Sequence, residues 1–389
     1  MEKWVTFLDV LKTPIRNGLT KPKGIRGTGV KMIAMGEIFA KARISDMEMD
    51  RVPVTEKEMA NCGIEAGDLL FARQSLVLEG AGKCSIVTEV SEPTVFESHL
   101  IRARIDKEKA DPYFIFYYFN SSHGRENIKT IVEQVAAAGI RGSDLVKLSI
   151  PCPEVSEQRR VARILRSIDE RIENNEKIND NLEQQAAALI ARYQAVTDTS
   201  IELSAIMDFE NGFAFQSSTY LAKGAYRIIT IKNVQDGRID SDGAAYIDSI
   251  PPRMKNGCKL HIGDALLSLT GNVGRVGIVC ENNLLMNQRV AKIVPHDPEL
   301  LPFLYFVFRL PNTKTMLESI AKGTAQLNLS PVETLRLTIP FDKETALQLS
   351  RDLDPIFRAI AVNNQESISL ATARDTLLPR LMCGEIAVD

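Results

Sequence analysis

The sequence is poor in the residues that build metal sites and disulfides. Its six cysteines and four histidines are scattered along 389 residues, and no C-x-x-C pair occurs. Structural zinc needs such paired ligands, so we assign no metal. Unpaired cysteines predict reduced thiols, and the N-terminus lacks the charged-then-apolar pattern of a secretory signal. We therefore expect a cytoplasmic protein.

The sequence also lacks the motifs that carry common chemistry. No G-x-x-x-x-G-K-[ST], G-x-S-x-G or H-E-x-x-H motif is present. No apolar run approaches the about 20 residues that span a bilayer. These absences predict a non-catalytic protein that needs no cofactor and does not enter a membrane.

Neither acidic nor basic residues dominate the chain, but the charges are distributed unevenly along it. The net charge is −3, whereas residues 1–150 and 200–340 each carry +1. A protein that coats nucleic acid has a strongly basic surface, so the overall charge argues against that class. The acidic excess lies in residues 151–199 and 341–389, which join or follow the two large segments.

An internal duplication organises the sequence. Gly67-Asp68-Leu69-Leu70 recurs 196 residues later as Gly263-Asp264-Ala265-Leu266, and residues 144–151 recur 189 residues later as residues 333–340. Short alternating apolar runs between Gly, Asn and Asp predict strands, and Asp111-Pro112 predicts the cap of an aromatic helix. We predict an α/β fold of mixed α+β type with two globular domains of duplicated origin.

A seven-residue apolar repeat follows each copy and predicts a long coiled-coil helix. Residues 161–193 would span about 50 Å at about 1.5 Å per residue, so such a helix needs a partner along its length. Leu189 continues the stripe of the first helix, Arg374 interrupts that of the second, and Leu377-Leu378-Pro379 is expected to end it. The predicted helix-pairing residues are Val161, Leu165, Ile168, Ile172, Asn175, Asn179, Leu182, Leu349, Leu353, Ile356, Ile360, Asn363, Leu370 and Leu377.

Polar residues interrupt both stripes at matching heptad positions. Flush antiparallel packing would set Asn175 near Ser367 and Asn179 near Asn363, so that each buried amide meets a polar group. We favour this arrangement, although parallel packing would also align polar with polar. In the alternative interpretation, the two segments are ordinary amphipathic helices that each pack on their own domain.

Several stretches, taken in order, resemble the specificity subunits of type I restriction-modification systems over essentially the whole chain. They are Glu157-Gln158-Arg159 with Ile168-Asp169 and Asn174-Asn175, then Asn211-Gly212-Phe213, and Arg374-Asp375-Thr376-Leu377 with Gly384-Glu385-Ile386. The first half lacks a good copy of Asn211-Gly212-Phe213, and residues 12–31 are instead Gly-rich and basic.

The resemblance implies a division of labour. Residues 1–150 and 200–340 would be target-recognition domains, each reading one half of a split double-stranded DNA site. Residues 151–199 and 341–389 would be the central and C-terminal conserved spacer helices, which set the gap and dock methyltransferase subunits and, through them, restriction subunits. A rigid spacer of this length suits two readers about one duplex turn, roughly 34 Å, apart.

Basic and amide side chains in Gly-rich segments are candidates for DNA contacts, because Lys and Arg bind phosphates and Arg, Asn and Gln read base edges. A solvated surface loop is the alternative for each. Arg141 and Gln326 are predicted to lie in equivalent loops before the long helices. The candidate DNA-binding residues are Lys21, Lys23, Arg26, Lys31, Arg141, Arg253, Lys255, Asn272, Arg275, Asn287, Gln288, Arg289 and Gln326.

Three other functional interpretations stay open. A subunit that itself methylates or cuts DNA would need a cofactor or metal site. A coiled-coil scaffold without DNA affinity would suit the negative net charge. A specificity subunit of a type IIB-like enzyme would share the same architecture.

Overall fold

The computed structural model describes residues 3–134, 138–323 and 326–386. Its contacts divide the chain into two compact units, one formed by Met1–Glu170 with Leu370–Asp389 and the other by Arg171–Ser369. Each unit contains one copy of the duplicated sequence together with part of each long helix. The two copies are called the first and second repeat below.

The first repeat consists of short strands and short helices around an aromatic core. Its strands are β1 (Trp4–Thr6), β2 (Arg16–Asn17), β3 (Val30–Ile33), β4 (Arg43–Ile44), β5 (Arg51–Val52), β6 (Leu69–Ala72), β7 (Gln74–Ser75), β8 (Cys84–Val87), β9 (Thr94–Phe96), β10 (Leu100–Ala103), β11 (Glu133–Gln134), β12 (Ala138–Gly139) and β13 (Ser149–Pro151). Its helices are α1 (Met35–Ala40), α2 (Glu56–Cys62), α3 (Pro112–Asn120), α4 (Ser122–Lys129) and α5 (Gly142–Leu145).

The long helix α6 (Val155–Val196) follows, and the second repeat comes after it. The strands of the second repeat are β14 (Ser200–Glu202), β15 (Met207–Asn211), β16 (Tyr226–Ile229), β17 (Gly237–Arg238), β18 (Tyr246–Ile247), β19 (Ala265–Ser268), β20 (Val276–Ile278), β21 (Leu284–Met286), β22 (Val290–Pro295) and β23 (Thr338–Pro340). Its helices are α7 (Leu301–Arg309), α8 (Pro311–Ile320) and α9 (Pro331–Leu335), and the second long helix α10 (Lys343–Met382) comes last.

Sheet topology confirms the duplication. The five-stranded sheet has the order β2-β10-β6-β8-β4 in the first repeat and β15-β22-β19-β20-β17 in the second. A three-stranded sheet, β5-β3-β9 or β18-β16-β21, and a two-stranded sheet, β1-β13 or β14-β23, also occur in both. The first repeat has a further sheet, β11-β12-β7. The same order in both copies shows that the repeated residues build the same fold twice.

Local sequence explains where the best-matched elements begin. Gly67 and Gly263 precede β6 and β19 with φ of +96° and +95°, a backbone conformation that favours glycine. Asp111 caps α3 by accepting hydrogen bonds from the backbone N–H groups of Tyr113 and Phe114, and Pro112 occupies the first turn, as predicted. The aromatic face of α3 is buried in the core of its repeat.

The first repeat does contain a copy of Asn211-Gly212-Phe213, contrary to our expectation: it is Asn17-Gly18-Leu19. The Leu19 N–H donates to the Phe96 carbonyl at 2.8 Å, as the Phe213 N–H does to the Met286 carbonyl at 2.9 Å. A Cβ on Gly18 would lie 2.1 Å from a backbone oxygen, and one on Gly212 would lie 2.0 Å from one. Sequence comparison missed this copy because the required feature is close backbone approach rather than the aromatic ring.

The long helices depart from two details of the heptad prediction. Leu189 is exposed, whereas its neighbour Ile190 is fully buried beside Ala186 and Tyr193 in the core of the second repeat. A straight helix drifts by about 20° per heptad relative to a strict 3.5-residue period, so the buried stripe moves by one position along α6. The contacts of this end of the helix are therefore set by the repeat it packs on.

Pro379 does not end α10, which continues to Met382. A proline inside a helix removes one hydrogen bond at a cost of about 3 kcal/mol. Leu381 and Met382 are buried in the core of the first repeat, and each contributes about 1.5–3 kcal/mol. Burial of the last turn thus outweighs the effect of the proline.

Candidate DNA-reading loops and the polar layers of the helix pair

The polar interruptions of the two long helices meet in the second unit. Asn175 is almost fully buried, and its Nδ2 donates to Ser367 Oγ at 3.3 Å and to Glu366 Oε2 at 2.8 Å. Asn363 Nδ2 donates to Asn179 Oδ1 at 2.8 Å. Residues that lie later in α6 thus contact residues that lie earlier in α10. The helices are antiparallel, in the flush register described above.

Charge supports the same register beside the amides. Arg171 pairs with Glu366 at 3.2 Å. Hydrogen bonds from Asn175 and then from Arg171 hold the pKa of Glu366 below its usual value. The carboxylate therefore stays ionised within the layer, and a shift by one heptad would leave it without these donors.

Replacing both Asn179 and Asn363 with leucine is expected to leave thermal stability unchanged or to raise it by about 1 kcal/mol while loosening the register, because a partly buried polar pair between helices contributes specificity more than stability. Thermal unfolding and a register-sensitive cross-link between introduced cysteines would measure both effects. Asn181→Leu, at an exposed position of α6, is the matched control. A double variant that is several kcal/mol less stable would contradict this account.

The apolar pairing residues serve two kinds of contact. Val161 and Leu165 are buried in the core of the first repeat, and Leu349, Leu353 and Ile360 in that of the second. The remaining apolar positions are partly buried: Ile168, Ile172, Leu182, Ile356, Leu370 and Leu377. The helices therefore combine both sequence interpretations, since they pair through the polar layers and also pack on the repeats.

Arg374 interrupts the stripe because it has a buried partner that sequence reasoning did not single out. Its Nη1 donates to Asp169 Oδ1 at 2.8 Å, and the Tyr117 hydroxyl donates to Asp169 Oδ2 at 2.5 Å. Burial, followed by the nearby charge of Asp169, raises the pKa of Tyr117. The sequence did contain a signal for this cluster: Arg374 interrupts the apolar stripe of α10, and Asp169 is an acidic residue of α6 that could pair with it.

Three of the four basic candidates within residues 21–31 are ion-paired within the chain. Lys21 contacts Glu58 at 2.8 Å, and Arg26 contacts Asp50 at 2.8 Å. Lys31 is hydrogen-bonded to Asp46 and lies 3.1 Å from Glu92. These hydrogen bonds raise the pKa of Lys31.

Lys23 differs from these three, because it is exposed and has no ion pair among the described residues. DNA phosphates would have to displace or share the carboxylates that hold Lys21, Arg26 and Lys31. Lys23 could bind a phosphate without such competition.

The second repeat brings several candidates together in three loops. Arg289 Nη1 lies 3.5 Å from Asn328 Oδ1, and Thr270 Oγ1 donates to the same oxygen at 3.0 Å. Asn272 and Gln326 are exposed in these loops. Arg289 has φ +73°, an uncommon conformation for a residue other than glycine. We call residues 269–275, 287–289 and 326–329 the second loop cluster.

The other candidates of the second repeat make different contacts. Arg275 Nη1 donates to Gln235 Oε1 at 2.6 Å, and Asn287 Nδ2 donates to Tyr220 Oη at 3.3 Å. Gln288 is exposed between Asn287 and Arg289. Arg253 and Lys255 are exposed on a separate segment, which packs through Met254 on a small apolar cluster.

The first repeat has an equivalent set of loops. The Arg73 N–H donates to the His99 carbonyl at 2.8 Å, and the Leu269 N–H donates to the Arg289 carbonyl at 2.9 Å. Likewise, the Ile140 N–H donates to the Arg73 carbonyl at 2.9 Å, and the Leu329 N–H donates to the Leu269 carbonyl at 2.7 Å. We call residues 73–83, 97–99 and 138–141 the first loop cluster.

The first loop cluster contains two possible base-contacting residues, Gln74 and His99, that the sequence analysis did not identify. Gln74 Oε1 lies 3.2 Å from His99 Nδ1, and both side chains have hydrogen-bonding groups suited to base edges. His99 is the counterpart of Arg289 at an offset of 190, which neither of the sequence offsets, 196 and 189, would have found.

Arg141 and Gln326 lie in equivalent loops but at different positions within them. Arg141 occupies the N-cap position of α5, as Ser330 does that of α9, and it pairs with Glu133 at 2.7 Å. Residue 137, the counterpart of Gln326 at the offset of 189, lies outside the described residues.

The described residues contain no group of three or more His, Cys, Asp or Glu side chains that could hold a metal ion. Five cysteines are buried and Cys383 is exposed. Burial raises the pKa of Cys280 to about 12, which makes its thiol unreactive at neutral pH. Every helix in the described ranges is too short or too polar to cross a membrane.

Comparison with known proteins gives the same family in both repeats. The model of the type I restriction modification DNA specificity domain matches residues 15–184 and 198–371. The type I restriction enzyme MjaIX specificity subunit of Methanocaldococcus jannaschii is 23% identical over 86% of this chain and 82% of its own length. The type I restriction enzyme HindI specificity subunit of Haemophilus influenzae is 24% identical over 84% of this chain and 88% of its own length.

A solved structure has the same fold. The type I restriction-modification S subunit from M. genitalium matches 98% of this chain and 96% of its own with a TM-score of 0.54, at 18% sequence identity. The family match covers most of the chain, and its two segments cover most of the first repeat and all of the second. The chain therefore belongs to the type I restriction modification DNA specificity domain family, with two copies of that domain.

Proposed function

We propose that this chain is the non-catalytic specificity subunit of a type I restriction-modification enzyme, which reads a bipartite double-stranded DNA site. The observation that carries the proposal is the occurrence of two matches to the DNA specificity domain in one chain, in two repeats with the same sheet order. One domain per half-site is the simplest use of two similar readers. The match in both repeats favours this function over that of a scaffold without DNA affinity.

The loop clusters are the surfaces that we propose for base contacts. Each draws on three loops of one repeat, so several side chains can approach consecutive base edges together. In the second repeat, exposed Asn272, Gln288, Arg289 and Gln326 supply the amide and guanidinium groups that read adenine and guanine. Lys23 in the first repeat, and Arg253 and Lys255 in the second, are proposed to bind phosphates, which add affinity but little sequence information.

The long helices are proposed to set the gap between half-sites and to dock methyltransferase subunits, through which restriction subunits join. Helix α6 has 42 residues and is about 60 Å long, and its pairing with α10 through two polar layers fixes one register. A fixed register makes the pair a ruler of constant length. We propose that the complex acts in the cytoplasm, where its DNA target is.

The purified chain is expected to show no methylation or cleavage of DNA with S-adenosylmethionine or Mg²⁺, and to confer both with sequence specificity once its partner subunits are added. The reason is that base reading and chemistry reside on separate chains. Methylation sequencing and a cleavage assay, with partner subunits alone as the control, would test it. Turnover by the isolated chain would overturn the proposal.

A further inference from the structure

The loop between β6 and β8 is longer than its equivalent in the second repeat. It spans residues 73–83, whereas the loop between β19 and β20 spans residues 269–275. The strands on either side pair in the same register, since Leu69 lies opposite Ile86 as Ala265 lies opposite Ile278. The first repeat thus has four additional residues at this point of an otherwise shared fold.

The longer loop presents apolar side chains to solvent. Leu76 is 97% exposed, Val77 is 58% exposed, and Leu78 is also exposed. Counted from the end of the preceding strand, the position of Leu76 is taken in the equivalent loop by Asn272, which is exposed, and that of Val77 by Val273, which is buried. Exposed leucine is unfavourable in water, and the described residues of the first unit leave nearly all of the Leu76 side chain uncovered. A side chain held in this way is suited to contact another molecule.

The backbone beneath these side chains is firmly held. Arg125 donates through Nη2 to the carbonyl of Glu79 at 2.6 Å and through Nη1 to that of Gly82 at 2.9 Å. The Val77 N–H donates to Ser75 Oγ at 3.2 Å, and β7 within the loop pairs with β12. The loop therefore displays Leu76 in a defined place, so a contact there costs little ordering of the chain.

We propose that Leu76 reads the half-site of the first repeat by apolar contact with a base, while the second repeat uses the amide of Asn272 at the same place in its loop cluster. This inference rests on the proposed function. Two apolar features of DNA fit a leucine at a loop tip: the 5-methyl group of thymine in the major groove, and the face of a base at an unstacked step. The two half-sites are then read by different chemistry.

The surroundings of Leu76 favour DNA over a protein partner. Gln74 and His99 lie at the base of the same loop cluster and carry hydrogen-bonding groups for base edges, and Arg141 is exposed beside them. The apolar side chains form a narrow tip of three residues rather than the broad apolar core of a protein interface. The equivalent loop of the second repeat exposes the polar Asn272 instead, as expected if this position varies with the base that is read.

The test uses the full chain assembled with its methyltransferase subunits and carrying Leu76→Ala, Leu76→Asn or Leu76→Met. Leu8→Ala, at another exposed leucine of the first repeat, is the matched control. Methylation is sequenced on a library of all single-base variants of the half-site that stays unchanged when residues 200–340 are exchanged. The alanine and asparagine variants should lose about tenfold discrimination at one or two adjacent positions, whereas the methionine variant and the control keep it.

Two further measurements identify the apolar feature. If Leu76 contacts a thymine methyl group, deoxyuridine at that position lowers methylation by the wild-type complex and has no added effect with Leu76→Ala. If Leu76 enters a base step, deoxyuridine has no effect, and Leu76→Ala reduces the DNA bend measured by end-to-end energy transfer. Either pattern supports the proposal.

Four results would overturn it. Unchanged discrimination in all variants would show that Leu76 does not read DNA, while the bipartite specificity of the wild-type complex would leave the proposed function intact. Loss of subunit assembly with unchanged discrimination would assign the loop to a protein partner. Loss of discrimination with neither the deoxyuridine nor the bending signature would give Leu76 a role in positioning the loop. Absence of bipartite methylation by the wild type would refute the proposed function as well.

Discussion

Deleting one matched heptad from each long helix is expected to shorten the preferred gap between the half-sites by about three base pairs and to leave both half-sites unchanged. The deletion removes residues 176–182 from α6 and residues 359–365 from α10. Seven residues correspond to about 10 Å of helix, and the apolar stripe stays nearly in phase because seven residues are close to two turns. Base pairs rise about 3.4 Å each, which gives the expected change.

The antiparallel contacts determine which residues must be removed together. Asn179 and Asn363 form one polar layer, and this design deletes both, so that neither amide is left without the other. Asn175 keeps its contacts with Glu366 and Ser367 in the other layer. Deleting residues 176–182 alone is the informative control, because it would leave Asn363 without Asn179 and is expected to lower stability.

Methylation sequencing on a library of spacer lengths would measure the gap preference. If the double deletion still preferred the same gap as the wild type, something other than the helices would set the distance between the half-sites. Altered half-sites, with the gap unchanged, would indicate that the helices contribute to base reading instead.

Exchanging residues 200–340 for the matching segment of a relative with different specificity is expected to change one half-site completely and the other not at all. Strand β14 at the start of this segment pairs with β23 at its end, Ile201 opposite Ile339, so the exchanged piece is closed by its own strands. Discrimination among bases at that half-site should change by several orders of magnitude, since each mismatch costs about 1–3 kcal/mol.

The packing of the helices on the second repeat defines a necessary control. Ala186, Ile190 and Tyr193 of α6 and Leu353 of α10 belong to the same core as Phe303. A donor segment with a different core could fold poorly on these side chains and would then give an inactive complex. A second exchange, of residues 182–361, carries the helix faces with the repeat and separates misfolding from altered recognition.

Methylation sequencing of both chimaeras would show whether the repeats read DNA independently. A change at both half-sites in either folded chimaera would contradict one-domain-per-half-site reading. An unchanged site in a well-folded chimaera would place recognition outside residues 200–340.

Periodic and repeated features could be predicted from the sequence because they depend on local geometry. The duplication followed from matching turns such as Gly67-Asp68 and Gly263-Asp264, whose positive φ restricts the residue that can precede the strand. The matching heptad positions of Asn175 and Ser367 limited the register, because a buried amide needs a polar partner. The base-reading role of individual residues in the loop clusters remains a prediction.

Features that depend on long-range contacts were decided by the tertiary structure. Lys21 and Lys31 have carboxylate partners that are distant in sequence, so a basic stretch could not be distinguished from a set of internal ion pairs. The direction of the helix pair was likewise open in sequence, since polar positions match in either orientation. Leu76 could be identified only when the backbone hydrogen bonds showed which loops are equivalent. Local periodicity thus determined the elements of this protein, whereas packing between distant segments determined which charges are satisfied and which side chains face another molecule.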